Sequence, residues 1–173
     1  MESTDGKLAP IAIIGLALRL PGKVSTPEEF WSLLVNKRDG RCRVPEDRYN
    51  INAFHDDNEK GQMRVASDHG YFLDHVNLKA FDASFFSSKR NEAEVTDPQQ
   101  RLLLEVTWEC MESAGQTSLR GSDTGVYVGV FGEDWHNMQH RDEQTFSAYR
   151  VLSAGDYALA NRLSYEFDFR GPR

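Results

Sequence analysis

The two cysteines, Cys42 and Cys110, carry the most reactive side chains of this 173-residue chain. A thiolate is a nucleophile and a metal ligand, and nearby positive charge favours it over the thiol. Cys42 lies between Arg41 and Arg43, but in a polar segment with no base beside it, so we expect an ordinary thiol. Cys110 falls on the apolar stripe of a predicted helix, which favours a place in the core. The pair has no C-x-x-C or zinc-finger spacing, and we expect both thiols to be reduced in a cytosolic protein.

His136 and His140, four residues apart with Glu133 nearby, are candidate metal ligands. On a helix this spacing places both imidazoles on one face, as a zinc site requires. The zinc-protease motif also needs a glutamate directly after the first histidine, and Asn137 stands there instead. Because the surrounding sequence is highly polar, we interpret the pair as a solvated helix face.

Three acidic residues, Asp56, Asp57 and Glu59, form a second candidate cation site. A calcium loop alternates its ligands around a central glycine, and this spacing does not match, so a solvated loop is expected. The apolar run that closes at Gly15 lacks the second and third glycines of a dinucleotide fingerprint. The sequence contains no G-x-S-x-G elbow and no P-loop. The residues alone therefore indicate no catalytic, metal or cofactor site.

The composition is that of a soluble globular domain. Hydrophobic residues make up 39% of the chain and charged residues 27%, and the net charge of −7 disfavours binding to nucleic acid. The most apolar run, residues 11–18, is far shorter than the roughly 20 residues that span a membrane. Residues 1–9 are polar and predict a disordered leader rather than a signal or transit peptide. We therefore expect a cytoplasmic domain over residues 10–173.

Capping residues and apolar spacing predict three helices. Thr26 with Glu29, and Asp97 with Gln100, each have the spacing of a helix cap and its reciprocal partner. The second and third helices are expected over residues 99–114 and about 157–165. The apolar stripe predicted for the second helix comprises Leu102, Leu103, Val106, Cys110, Met111 and Ala114.

Three apolar segments predict strands of one sheet, packed by the helix over residues 99–114. They are residues 11–15, 124–131 and 166–169, which are rich in β-branched and aromatic side chains. Residues 41–70 are polar and lack periodicity, which indicates an irregular surface excursion. The resulting order of strands and helices predicts an α/β fold with a mixed or parallel sheet.

Several blocks of sequence, in order from about residue 10 to 173, resemble polyketide synthase β-ketoacyl synthases (ketosynthases). The blocks are PIAIIG (10–15) with RLPG (19–22), PEEFWSLL (27–34) and VPEDRYN (44–50), GYFL (70–73) and FDASFF (81–86), DPQQRLLLE (97–105) with WE (108–109) and AG (114–115), and ANRLSY (160–165) with FD (167–168) and GP (171–172). Three further stretches look most like the iterative reducing synthases of fungi: GEDW (132–135), YR (149–150) and GDY (155–157).

The chain departs from the family pattern at two places. After Phe86 it has SSKRNE (87–92), where the family usually has a Ser-Pro-Arg-Glu step. Arg173 follows the Gly-Pro step, where serine is usual. The second departure is consistent with a wrong exon junction.

The resemblance implies the N-terminal portion of a thiolase-like fold, with layers in the order α-β-α-β-α, two similar halves and a dimeric assembly. The family carries out decarboxylative Claisen condensation on an acyl carrier protein bearing phosphopantetheine thioesters. Its nucleophile is a cysteine at a strand-to-helix elbow, a few residues after the Gly-Pro step, and two downstream histidines assist. Neither cysteine of this chain, and none of its five histidines, lies in a matching motif. No catalytic residue is therefore carried over, and the fold is expected to be truncated before the elbow.

The leading hypothesis is a ketosynthase fragment of an acyltransferase, inactive alone. The alternatives are a non-catalytic interaction protein that pairs with an intact synthase subunit, and one half of a split gene. The genomic sequence downstream discriminates among them. Because half of a two-part fold leaves sheet edges uncovered, the isolated chain is expected to aggregate, to oligomerise or to be partly folded.

Overall fold

The computed structural model describes residues 10–56, 64–132, 134–141, 149 and 155–173. The leader expected over residues 1–9 lies outside this part of the chain. The described residues include the helices α1 (Pro27–Val35), α2 (Arg90–Ala93), α3 (Pro98–Ser113), α4 (Asp134–His140) and α5 (Tyr157–Phe167), a 3₁₀ helix (Ile51–Ala53), and the strands β1 (Cys42–Arg43) and β2 (His69–Gly70).

Helix α1 begins where its capping residues predict. The Thr26 hydroxyl accepts a hydrogen bond from the Glu29 backbone N–H at 3.2 Å, and the Glu29 carboxylate accepts one from the Thr26 N–H at 3.1 Å. Two otherwise unsatisfied N–H groups are thereby paired, and Pro27 has no N–H to satisfy. None of the nine residues of α1 is buried.

Helix α3 matches its prediction to within one residue at each end. The Asp97 carboxylate accepts a hydrogen bond from the Gln99 N–H at 2.7 Å, which caps the first turn. Leu104, which is absent from the predicted stripe, is the most deeply buried residue of the helix, with 1% of its surface exposed. The buried face of the helix is therefore wider than the predicted apolar stripe.

The core lies where α3 and α5 pack against each other. The Trp108 and Phe167 rings stack with their centroids 6.4 Å apart, and Phe86 and Phe169 complete the aromatic cluster around Phe167. The buried members of this core are Phe86, Leu104, Met111, Val126, Leu163, Phe167 and Phe169. Four segments distant in sequence therefore meet in this core: the loop at Phe86, α3, the segment at Val126, and α5 with the residues that follow it.

The three-stranded sheet predicted from the sequence is not formed among the described residues. Residues 166–169 are wrongly predicted as a strand, because α5 continues to Phe167 and is capped by Asp168 in the left-handed region at φ 52°. The two strands present, β1 and β2, pair antiparallel within the stretch predicted to be irregular. No helix in the described part of the chain is long and apolar enough to cross a membrane.

Parts of two predicted strands do lie side by side, but with different bounds from those predicted. Residues 121–126 and 168–172 are joined by four backbone hydrogen bonds of 2.8–3.2 Å, which run from the N–H groups of Gly121, Arg170, Gly171 and Val126 to the carbonyls of Asp168, Ser122, Thr124 and Pro172. Residue numbers rise together along both segments, so their pairing is parallel. We call residues 121–126 and 168–172 the parallel ladder.

Candidate functional site

The two thiols occupy unrelated positions. Cys42 lies in β1, half-buried, and is paired in register with Gly70. Its neighbour Arg43 donates to the Asp68 carboxylate at 3.1 Å and to the Asn52 side chain at 2.6 Å, so that guanidinium already has partners. Cys110 lies in the last turns of α3, as its helical spacing predicts, but it is half-buried rather than part of the core. Neither thiol is at the N-terminal end of a helix, where the helix dipole favours a thiolate.

The candidate metal ligands form no site among the described residues. Both His136 and His140 lie on α4, which confirms that they share a helix, and His136 is half-buried. Asp56 is half-buried in the loop that follows the 3₁₀ helix. Glu133, Asp57 and Glu59 lie outside the described residues. Within the described ranges, no group of three His, Cys, Asp or Glu side chains is arranged to hold a metal ion.

A serine–histidine contact that the sequence does not reveal joins α1 to a distant loop. The Ser25 hydroxyl lies 3.1 Å from the His75 Nε2 atom, and the Asp74 carboxylate lies 3.6 Å from Nδ1 of the same ring. Nδ1 is buried without a hydrogen-bond partner, so the carboxylate does not orient the imidazole as a catalytic triad requires. The contact fastens the loop at residues 74–75 to the start of α1, and its 50-residue separation leaves no local sequence signal.

A shallow cavity of about 250 Å³ lies beside β1 and the 3₁₀ helix. Its lining residues are Arg43, Val44, Glu46, Tyr49, Asn50, Ile51 and Asn52. Ligand pockets typically measure about 300–1,000 Å³ and hold convergent polar groups. The one guanidinium in the lining is already bound to Asp68 and Asn52. The cavity is therefore smaller than a typical substrate site, and its one guanidinium is not available to a ligand.

The parallel ladder contains a very close approach between two backbone segments. A Cβ atom added at Gly171 would lie 2.5 Å from the Thr124 carbonyl carbon and 2.6 Å from the Gly125 nitrogen. Real Cβ atoms do not approach backbone this closely, so only glycine fits. Glycine at position 171 therefore allows residues 168–172 to lie directly against residues 121–126.

An ion-pair cluster joins α5 to α2 and to Arg120, the residue that precedes the parallel ladder. The Arg162 guanidinium donates to the Glu92 carboxylate of α2 at 2.5 Å and lies 3.9 Å from Glu166. Burial raises the pKa of Glu166, and the positive charges of Arg162 and Arg120 offset this only in part. Arg120 also donates to the Glu166 backbone carbonyl at 2.9 Å, which ties the start of the ladder to the end of α5.

The segment at residues 10–19, which forms no helix or strand, is anchored to α3 in its second half. Arg19 donates to the Glu109 carboxylate from its two terminal guanidinium nitrogens, Nη1 and Nη2, and this hydrogen bonding raises the pKa of Arg19. Gly15 lies so close to α3 that an added Cβ would stand 2.5 Å from the Cys110 carbonyl oxygen. The residues before Gly15 are exposed.

The chain matches one protein family over almost its whole length. Residues 8–173 match the model of the β-ketoacyl synthase N-terminal domain. The chain is 55% identical over 163 residues to the highly reducing polyketide synthase g433 of a Fusarium species, and 55% identical over 163 residues to the highly reducing polyketide synthase lcsB of Purpureocillium lilacinum. Each match covers 94% of this chain but 6% of the relative, so the chain spans a small part of the proteins it resembles.

Solved structures show the same fold. The oxazolomycin ketosynthase domain OzmH KS7 of Streptomyces albus superposes with a TM-score of 0.77 at 33% identity, over 92% of this chain and 27% of that one. The ketosynthase from module 6 of the bacillaene synthase of Bacillus subtilis superposes with a TM-score of 0.70 at 27% identity. The fold is therefore the N-terminal portion of a thiolase-like ketosynthase domain, and the chain belongs to the β-ketoacyl synthase family.

Proposed function

We propose that this chain is part of a ketosynthase domain whose complete form catalyses decarboxylative Claisen condensation of acyl and malonyl thioesters on an acyl carrier protein. The match of residues 8–173 to the N-terminal domain of the family carries this proposal. The highly reducing polyketide synthases among its relatives support a role in polyketide biosynthesis. The assembled protein is proposed to be a cytoplasmic homodimer that meets a carrier protein bearing phosphopantetheine.

The proposed reaction has two covalent stages. A cysteine thiolate attacks the acyl carbonyl, and the carrier thiolate leaves with the electrons of the broken C–S bond. The malonyl unit then loses CO₂, its enolate carbon attacks the enzyme-bound acyl carbonyl, and the enzyme thiolate leaves. Positioned hydrogen-bond donors stabilise the negative charge that develops on oxygen in both stages.

We further propose that the 173-residue chain alone performs neither stage. The first stage needs a thiolate at a place that the carrier's arm can reach, and a misplacement of about 1 Å can cost roughly a hundredfold in rate. Cys42 is paired within β1 and β2, and Cys110 is in the C-terminal half of α3. Neither has the helix N-terminal field that activates a thiol at neutral pH.

Intact-mass spectrometry after incubation with an acyl-N-acetylcysteamine thioester tests this proposal. The expected result is no acyl adduct on the 173-residue chain, with iodoacetamide labelling as the control for thiol access. Extending the chain with its downstream coding sequence is expected to supply a cysteine shortly after Pro172 that becomes acylated. Substituting that cysteine, but not Cys42 or Cys110, is expected to abolish loading. Stoichiometric acylation of Cys42 or Cys110 in the short chain would overturn the proposal.

A second candidate function is that of a non-catalytic interaction protein. Its support is the set of large apolar side chains that the described structure leaves exposed near the parallel ladder and at residues 11–16. An interaction protein of this kind is expected to bind an intact synthase subunit without changing which cysteine is acylated. Pull-down with an intact ketosynthase dimer, compared with a dissociated one, separates the two functions.

A further inference from the structure

A histidine contact joins the start of helix α1 to a loop that lies 50 residues further along the chain. The His75 Nε2 atom lies 3.1 Å from the Ser25 hydroxyl, and its Nδ1 atom lies 3.6 Å from the Asp74 carboxylate. The second distance is too long for a hydrogen bond but is within the range of an ion pair. The side chains of His75 and Asp74 are 18% and 31% exposed, so both are largely shielded from water. We call these three side chains the His75 contact.

The charge of the imidazole ring changes the strength of the His75 contact. The Nδ1 atom is buried and has no hydrogen-bond partner. A neutral ring has one N–H group and one acceptor nitrogen, whereas an imidazolium ring has two N–H groups. In the charged form, Nε2–H donates to the Ser25 oxygen and Nδ1–H faces the Asp74 carboxylate. A neutral ring faces the same carboxylate without the attraction between opposite charges, so the contact is stronger in the charged form.

Two carboxylates near the ring favour its charged form. Asp74 lies beside Nδ1. Glu29 accepts hydrogen bonds from the Ser25 N–H at 2.8 Å and the Thr26 N–H at 3.1 Å, and these lower its pKa. The charge of His75 lowers the pKa of Glu29 further. Because the attraction between two charges is mutual, Glu29 also stabilises a proton on the ring.

Two guanidinium groups near the His75 contact act in the opposite direction. Arg48 donates to a backbone carbonyl of the adjoining loop at 3.4 Å. Arg38 lowers the pKa of Glu29 less than His75 does. Within the described part of the chain, neither arginine forms an ion pair with Asp74 or Glu29. Both carboxylates therefore remain available to the imidazolium ring.

The loop at residues 71–76 is held to α1 by side chains rather than by its backbone. No backbone hydrogen bond joins residues 71–76 to residues 25–35, all of which the structure describes. None of the nine residues of α1 is buried, and the capping box of Thr26 and Glu29 is formed within the helix start itself. The attachment of this loop to α1 is therefore sensitive to the charge of one imidazole ring.

We propose that the His75 contact is a pH-sensitive attachment, which holds residues 71–76 against the start of α1 while His75 is protonated and releases them when the ring is neutral. Imidazole is the side chain that ordinarily changes charge between about pH 5 and about pH 8. The stabilising contribution is therefore present at the acidic end of that range and is lost as pH rises through it. This response does not depend on the reaction that the complete domain catalyses.

Amide hydrogen exchange of the 173-residue chain tests the proposal. Protection factors of the α1 amides and the Val76 amide are compared at about pH 5.5 and about pH 8, where Glu29 stays ionised because its pKa is lowered. We expect protection to be at least about threefold higher at the lower pH. His75→Gln keeps a polar group near Ser25 but takes up no proton, so its ratio is expected to lie within about 1.5-fold of unity. Equal ratios in the parent chain and His75→Gln would overturn the proposal.

A histidine outside the contact provides the matched control. His69 of β2 is exposed, and its Nδ1 atom lies 2.6 Å from the Asp68 carboxylate. Because this pair does not touch α1, His69→Gln is expected to keep the pH response that the parent chain shows in the α1 amides. Loss of the response in His69→Gln as well as in His75→Gln would show that a general change in the fold, and not the His75 contact, causes it.

Titration of the His75 ring by NMR tests the electrostatic cause directly. Asp74→Asn removes the facing charge and keeps the side-chain shape, so His75 is expected to titrate at lower pH in this variant than in the parent chain. Asp47→Asn makes the same chemical change at a side chain that is 77% exposed and lies 4.0 Å from Arg48, and it is expected to leave the His75 titration unchanged. The measurement needs no substitution of His75, so it remains decisive if His75→Gln does not fold. An unchanged titration in Asp74→Asn, or equal shifts in both variants, would overturn the proposal.

Discussion

Helices α1 and α5 start from similar local signals and end in different surroundings. Thr26 caps α1 through a full capping box, and the Asp156 carboxylate caps α5 by accepting from the Tyr157 N–H at 2.7 Å. None of the nine residues of α1 is buried, whereas five of the eleven residues of α5 are. The capping signals determine where a helix begins, but burial depends on segments far away in sequence. We therefore expect α1 to depend on its caps and α5 to depend on its tertiary contacts.

The largest expected effect comes from removing an aromatic side chain of α5. Phe167→Ala leaves a cavity between Phe86 and Trp108, and changes of this kind cost about 3–5 kcal/mol. Native-state hydrogen exchange of α3 and α5 amides measures the loss. The control Trp31→Ala removes an exposed ring of α1 and is expected to change the same amides by less than about 0.5 kcal/mol. Equal effects of the two variants would contradict the comparison.

The second-largest loss of stability is expected where the two segments of the parallel ladder approach closely at Gly171. Gly171→Ala forces a Cβ atom against Thr124 and Gly125, and overpacking of this kind costs about 1–3 kcal/mol. An added Cβ at Gly129 meets no atom within 4 Å, so Gly129→Ala serves as the matched control. Hydrogen exchange of the Val126 and Arg170 amides reports opening of the ladder. Similar exchange in both variants would show that the contact is looser than its geometry indicates.

Helix α1 is expected to respond to loss of its cap. Thr26→Ala removes the hydroxyl that accepts from the Glu29 N–H, which typically costs about 1 kcal/mol. The loss is expected to be confined to α1 amides, because the helix buries no residue on which other elements depend. Thr26→Ser keeps the hydroxyl and is expected to behave like the parent chain. Spread of the effect to α5 would reveal a tertiary coupling that the burial pattern does not show.

Helix α2 lacks the side-chain cap that α1 has, so adding a cap is expected to stabilise it. Lys89 occupies its N-cap position in extended conformation without a side-chain hydrogen bond, while Glu92 ties the helix to Arg162 of α5. Lys89→Ser supplies the missing acceptor, at the position of the departure from the family pattern, and is expected to add about 0.5 kcal/mol. Lys89→Ala is the control, since it removes the charge without adding a cap. Hydrogen exchange of the α2 amides measures the gain in stability. An equal change in both variants would show that loss of the lysine charge, and not the new cap, is responsible.

The smallest effects are opposite pH dependences in the two helices. Hydrogen bonds from the Ser25 and Thr26 N–H groups lower the pKa of Glu29, so its contribution to stability is present above the usual glutamate pKa and is lost as pH falls. Burial raises the pKa of Glu166, so its contribution is present below the usual pKa and is lost as pH rises. Between pH 4 and 8, the thermal midpoint relative to the parent should rise with pH for Glu166→Gln and fall with pH for Glu29→Gln. Slopes of the same sign would contradict this assignment.

The sequence predicts local features of the fold well. The predicted helix starts at Thr26 and Asp97 depend on side chains within three residues of the N–H groups that they cap. The predicted bounds of α3 are correct to within one residue. The end of α5 is missed, because Asp168 adopts a left-handed conformation that usually signals glycine. A strand was consequently predicted over residues that complete the helix.

Features that join distant residues escape sequence analysis. The β1–β2 pair, the contact of Ser25 with His75 and the parallel ladder each join residues separated by more than 20 positions. Two-residue strands carry no measurable alternation, and a polar pair 50 residues apart has no periodicity. The family blocks, in contrast, identify the family directly, because their order over the chain holds information that no single element contains.

The distance in sequence between α3 and α5 also has a consequence during synthesis. Leu104 of α3 shares its core cluster with Phe167, which is made 63 residues later (167 − 104). At about 5–20 residues per second, α3 leaves the ribosome about 3–13 s before α5 is available to cover it. During that interval the Leu104 and Met111 face is exposed on the nascent chain. During those seconds, helix α3 offers a ribosome-associated chaperone an apolar face that the folded protein no longer presents.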